Sequence, residues 1–182
     1  LAEGKGPDIV LIREDYIYKQ RNKLFVIPYI NYNQRSFKDQ FIAESEMFLS
    51  PEGVVALPFI VDPLVMYWNR DMFSNGLISS PPQYWDEIPG LISKLTTRDN
   101  SANILQATVA LGEWRNITSA KEVLSTITLQ AGTPITTRSD SKVVYVLNSQ
   151  YNSPVAPSES GVNFYTQFSN TVSPNYTWNR SL

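Results

Sequence analysis

Neither cysteine nor histidine occurs in the 182 residues. Those two absences exclude disulfides, thiol nucleophiles, zinc held by its usual ligands and any histidine-based triad. No metal and no cofactor is expected. A chain without thiols is equally at home in oxidising and reducing surroundings, so the lack of cysteine does not choose a compartment. Charge is also scarce. Asp, Glu, Lys and Arg make up 18% of the chain, with a net charge of −2 and no basic stripe, against roughly 25% in an average domain. Nucleic acid and anionic membrane are therefore poor partners for it. No apolar run reaches the ~18 residues of a membrane span, and no basic-apolar-small leader opens the chain.

What is there is an ordinary globular balance: 42% apolar residues, the polar remainder supplied largely by Asn, Ser, Thr, Gln and Tyr. The length suits one domain or parts of two. The chain opens on Leu1, not Met, and closes on Asn179-Arg180-Ser181-Leu182 without a polar tail. Both ends read as cut from something longer.

The densest information lies in residues 53–71, GVVALPFIVDPLVMYWNRD. Val54 to Val61 and Leu64 to Trp68 are short apolar runs of the kind that form strands buried on both faces. Asp62 and Pro63 stand between them. Proline cannot donate to a ladder, so the chain breaks there. A carboxylate at such a break needs a partner, a hydrogen bond or a wet cleft. Asp62 is read as a turn cap, as the partner of a nearby Arg, or as a ligand-facing acid.

Along the rest of the chain, Asp8 to Arg13 reads as a buried strand, followed by Asp15 as a cap or first-turn acid of a loose helix. Ser36 to Phe48 reads as a helix with Phe37, Phe41, Ile42 and Phe48 near one face and Ser36 as cap. Pro81 and Pro82 introduce a helix over Tyr84 to Leu95, with Pro89 a turn into it. Ile104 to Leu111 is expected as a strand, Ser119 to Gln130 as a helix ended by Gly132, Val143 to Leu147 as a short strand and Ser158 to Asn170 as a helix. Alternating strands and helices point to α/β layers. Trp68 and Trp85 are read as packing residues. The Asn-x-Ser/Thr triplets at Asn116, Asn175 and Asn179 are read as chance.

A series of segments, in order, carries a resemblance: GPDIV (Gly6 to Val10), ALPFIVDPLVMYWNRDMF (Ala56 to Phe73), PPQYWDEI (Pro81 to Ile88), VALGEWRNITSAKEVLSTITLQAGT (Val109 to Thr133), then ESGVNFYTQF and YTWN near the end. On these the chain resembles the extracellular solute-binding proteins of ABC importers, family 1, the group that includes maltose-binding protein. The resemblance implies a type II periplasmic-binding-protein-like fold, two α/β lobes around a cleft, with only the central portion present. Residues 1–60 would be part of the N-terminal lobe, 61–64 a hinge crossing and 65–182 part of the C-terminal lobe. Tyr84 departs from the family, which usually has a Thr capping the helix after the double proline.

Ligands of open α/β sheets bind beyond the carboxyl ends of strands. The resemblance places binding residues at three such points: Asp15 with Tyr16, Asp62 at the hinge, and Glu113, Trp114 and Asn116. Acids accept bonds from sugar hydroxyls and flat aromatic rings stack on sugar C–H faces. Trp114 or Tyr16 would be the platform. Arg115 keeps amino acids and peptides open as alternative solutes, since a carboxylate calls for such a partner.

The implied function is extracytoplasmic capture of a solute, a carbohydrate by this chemistry, and delivery to the membrane subunits of an ABC permease. The implied setting is the periplasm or cell surface, with a lipid anchor open. A monomer is expected for the whole protein, and no enzyme activity. The competing reading is a glycoside hydrolase with Asp15 and Asp62 as its carboxylate pair. A third is that residues 1–182 alone hold one wall of a cleft and bind sugar weakly or not at all, with exposed strand edges that associate.

Overall fold

The computed structural model describes residues 3–139, 142–151 and 153–182, omitting the Arg138 side chain. The chain divides into two compact units, Leu1–Pro63 and Leu64–Leu182. Among the described residues, no helix is long and apolar enough to cross a membrane.

The first unit opens with helix α1 (Glu14–Gln20). Glu14 and Asp15 lie in its first turn, where acids complement the positive end of the helix. Arg13 occupies the cap position without a side-chain bond, so Asp15 sits inside the helix as a first-turn acid rather than as its cap. Strand β1 (Ile27–Pro28) precedes helix α2 (Gln34–Gln40), and β2 (Leu49–Ser50) and β3 (Gly53–Val54) follow. These three strands form an antiparallel sheet in the order β1-β3-β2, with the wholly buried Val54 opposite both Ile27 and Leu49. Gly53 is required at its place: a Cβ there would lie 2.1 Å from the carbonyl oxygen of Ile27.

Helix α2 is shorter than the expected 36–48 and starts earlier. Asn33, not Ser36, caps it, its Oδ1 accepting from the Ser36 amide at 2.8 Å. Phe37 is fully buried, with Tyr32 edge-on and Phe41 tilted against it. Beyond Gln40 the backbone becomes extended at Phe41 and re-forms as a 3-10 turn over Ala43–Phe48.

Three expected strands do not form. Asp8 to Arg13 has no strand, and Ile9 and Leu11 stand exposed. Val55 to Val61 and Leu64 to Trp68 likewise lack strand structure, with Phe59 and Tyr67 largely exposed. An apolar run becomes a buried strand only when neighbours accept its backbone bonds on both sides. Among the described residues none does so for these runs.

The second unit begins with helix α3 (Arg70–Asn75), capped by Asn69, whose Oδ1 accepts from the amides of Asp71 and Met72. Trp68 packs edge-on against Phe73. A 3-10 turn over Trp85–Glu87 leads into α4 (Ile88–Leu95). Pro89 therefore falls in the first turn, where its missing N–H costs nothing. The Glu87 carboxylate reaches back and accepts from the amides of Gln83 at 2.7 Å and Tyr84 at 3.4 Å. That bond is the glutamate half of a capping box; the half that a Thr side chain would supply falls to the Tyr84 backbone carbonyl, which accepts from the Glu87 amide at 3.3 Å.

Strands β4 (Thr97–Arg98) and β5 (Ile104–Gln106) pair antiparallel. The strand expected to run to Leu111 stops at Gln106. Two residues on, the Thr108 amide donates to Thr177 Oγ1 at 2.8 Å instead of to a ladder partner. Helix α5 (Ala120–Gln130) spans almost the expected residues and is ended by Gly132 in a left-handed conformation. Strands β6 (Thr136–Ser139) and β7 (Lys142–Tyr145) form a hairpin, and α6 (Pro157–Thr166) closes the series. Helices α5 and α6 pack together, and Ile88, Ile92, Leu111, Ile127, Tyr165 and Phe168 form the core of this unit.

Candidate functional site

The loop after Leu111 collects three of the six sequence-predicted residues. It begins at Gly112, whose φ of +96° and close approach to Ser169 leave no room for a side chain. Ser169 Oγ donates to the Gly112 carbonyl at 2.6 Å, and the Tyr165 hydroxyl donates to the Glu113 carbonyl at 2.8 Å. Burial pushes the Tyr165 hydroxyl above its ordinary pKa, so it remains a donor at neutral pH.

The Glu113 carboxylate faces inward along the chain. One oxygen accepts from Arg180 Nε at 2.7 Å, and the other accepts from the amides of Trp114 and Arg115 at 3.0 and 3.4 Å. The Arg180 hydrogen bond, aided by those amides, holds the Glu113 carboxyl below its usual pKa. Asn116 is equally engaged. Its Nδ2 donates to the Asn179 carbonyl at 2.8 Å, and its Oδ1 accepts from Trp178 Nε1 at 3.1 Å. Trp114 differs from both. The residue is 69% exposed, with the Arg115 guanidinium 5.4 Å from the ring centre.

In the first unit, Asp15 is exposed and lies 3.8 Å from the equally exposed Arg13, a pair of the kind that contributes at most about 1 kcal/mol. Tyr16 is half-exposed, with the Lys19 ammonium 5.2 Å from its ring. Asp62 is exposed and makes no hydrogen bond or ion pair among the described residues. Its readings as a turn cap and as the partner of a nearby Arg thus have no bond behind them among the described residues. Trp68 and Trp85 pack as the sequence suggests. Trp85 is set edge-on to Phe164, and its indole N–H donates to Gln130.

No family model matches this chain, and no solved structure matches it. The chain is similar to curated bacterial proteins named for binding. A protein of Brucella abortus (strain 2308) named "Putative binding protein" is 28% identical over 99 residues, 52% of this chain. Proteins of the same printed description from Brucella abortus biovar 1 (strain 9-941) and Brucella suis biovar 1 (strain 1330) align to the same extent. The aligned part is 23% of each of these relatives, so the chain spans under a quarter of their length in the match.

Sequence reasoning missed Arg180, Tyr165 and Ser169, and read Trp178 as a hinge or cleft residue rather than as a partner of Asn116. Each acts on the loop from 52 to 67 positions away. Local pattern reading has no access to such pairs. The available hint was charge: Glu113 sits in a loop whose adjacent Arg115 points to the indole, leaving the acid to find another cation. A groove of about 600 Å³ also lies among α5, α6 and the β6–β7 hairpin, lined mainly by apolar groups such as Leu124, Ile135 and Val162. None of the sequence-predicted residues lines it.

Proposed function

We propose that this chain is part of an extracytoplasmic solute-binding protein that serves an ABC importer, and that its solute is a carbohydrate. The fold we assign is the two-lobe, type II periplasmic-binding-protein-like α/β fold. Residues 1–60 would belong to one lobe, 61–64 to a hinge crossing and 65–182 to the other. The boundary between compact units, after Pro63, falls in that same stretch. Similarity to the Brucella binding proteins supports a binding role.

One observation carries the choice of solute: an aromatic ring held outward on a loop whose Glu113 and Asn116 side chains are bonded down. An exposed indole costs solvation that a stacking solute recovers, and the C–H face of a sugar ring matches it in shape and polarity. By the same resemblance, Asp15 and Tyr16 of the first lobe and Asp62 of the hinge, all accessible, would supply hydroxyl-accepting and stacking groups. A solute touching both lobes favours the closed form by its differential affinity.

The test is calorimetric titration of the whole natural polypeptide with neutral mono- and oligosaccharides, amino acids and short peptides. A saccharide should bind, and Trp114→Ala should weaken it at least about tenfold, the equivalent of one lost stacking contact. Binding of amino acids or peptides alone would redirect the assignment to Arg115. Release of reducing sugar from a glycoside panel would replace it with hydrolysis.

A further inference from the structure

The loop 112–116 is fastened at both ends by residues far along the chain. At its start, Ser169 and Tyr165 hold the carbonyls of Gly112 and Glu113. At its end, Asn116 is gripped by Trp178 and by the Asn179 backbone. Between them the Glu113 carboxylate is a bridge. On one side it binds Arg180 Nε, and on the other it binds the amides of the two residues that project. The Glu113 side chain is only 13% exposed, whereas the Trp114 residue is 69% exposed. Lone pairs directed at a guanidinium and at two amides are not free to accept from a solute. A charge-assisted bond is also directional enough to fix the peptide planes it touches.

We propose that Arg180 is a positioning residue for solute recognition. By bonding Glu113 it locks the backbone of Trp114 and Arg115 and so aims the indole outward. Glu113 and Asn116 then serve the solute through Trp114 rather than by touching it. This rests on the reading of Trp114 as a sugar platform given above. Preorganising one flat ring in this way lowers the ordering cost that binding would otherwise incur.

The decisive experiment needs no solute. The chain labelled with 5-fluorotryptophan gives one fluorine resonance for each of its four Trp residues, and Trp114→Phe assigns the loop signal. In Arg180→Gln that signal should shift or broaden at pH 7, while those of Trp68 and Trp85 stay in place. Arg180→Lys, which keeps the charge, should restore much of the original position. Acidification should reproduce the change in the natural sequence but not in Glu113→Gln. A Trp114 resonance unchanged in Arg180→Gln, even with a lower melting temperature, would overturn the proposal and leave the pair a purely stabilising contact. A second arm uses maltotriose and cellotriose with the whole polypeptide. Arg180→Gln should weaken the bound sugar by roughly the factor seen for Trp114→Ala, about tenfold. Absence of binding to every sugar would sink the carbohydrate reading, while the fluorine spectra would still decide whether Arg180 sets the loop.

Discussion

Glu113 carries the pH dependence of the candidate site. Its folded-state pKa lies below the ordinary 4.5, first because Arg180 bonds the carboxylate and then because two amides do. A depressed acid pKa stabilises the fold at pH above the unfolded value, and that contribution is lost as pH falls through the folded value. The natural sequence should therefore lose urea resistance below about pH 4.5 more steeply than Arg180→Gln. The gap between the two should be widest near neutrality and close as pH falls through the folded-state value. Asp99, held low by Asn103, adds the same slope to both proteins and cancels in the comparison. Urea midpoints at half-unit pH steps would check this, and parallel curves would refute it. At this scale the sequence points to the loop by residue type alone. Glu113, Trp114 and Asn116 are polar and aromatic residues just past an apolar run. It could not mark Arg180, because nothing local ties a guanidinium to an acid 67 positions earlier.

Among the elements, helices α4, α5 and α6 were legible because period 3.6 is written into single segments: Ile88, Ile92 and Leu95 are all buried on α4. The helix starts were less legible, since Asn33 and Glu87 cap through side chains whose reach the pattern does not reveal. Strands fared differently. The runs over 8–13, 54–61 and 64–68 have the composition of buried strands, but a strand is a property of a pair. Among the described residues, Val54 pairs in the β1-β3-β2 sheet, Val55 donates to the Phe48 carbonyl, and the Arg13 carbonyl accepts from Tyr16 at the start of α1, which is a helix contact and not a ladder. Hydrogen exchange should separate these cases. Amides of Leu57, of residues 59–62 and of residues 64–67, with no bond among the described residues, should exchange at nearly random-coil rates. Those of α5 should be protected by orders of magnitude. Strong protection across 57–67 would mean that a ladder partner is supplied from elsewhere.

For the molecule as a whole, the same stretch is a row of exposed apolar side chains from Leu57 to Tyr67 with unpaired backbone. Edges of this kind seek partners. Residues 1–182 expressed alone should sediment as a concentration-dependent mixture, and Phe59→Lys with Tyr67→Lys should shift it toward the monomer. A single concentration-independent species before substitution would contradict this.

The long-range bonds of the second unit also bear on its cohesion when cut. Thr108 is tied to Thr177, Glu113 to Arg180 and Asn116 to Trp178, while α5 lies against α6. All these links straddle the hairpin and the turns between Thr133 and Ser153. A protease that severs the main chain there would leave two peptides clasped by one apolar seam and several polar rivets. They should co-elute on gel filtration under native conditions and part only in denaturant.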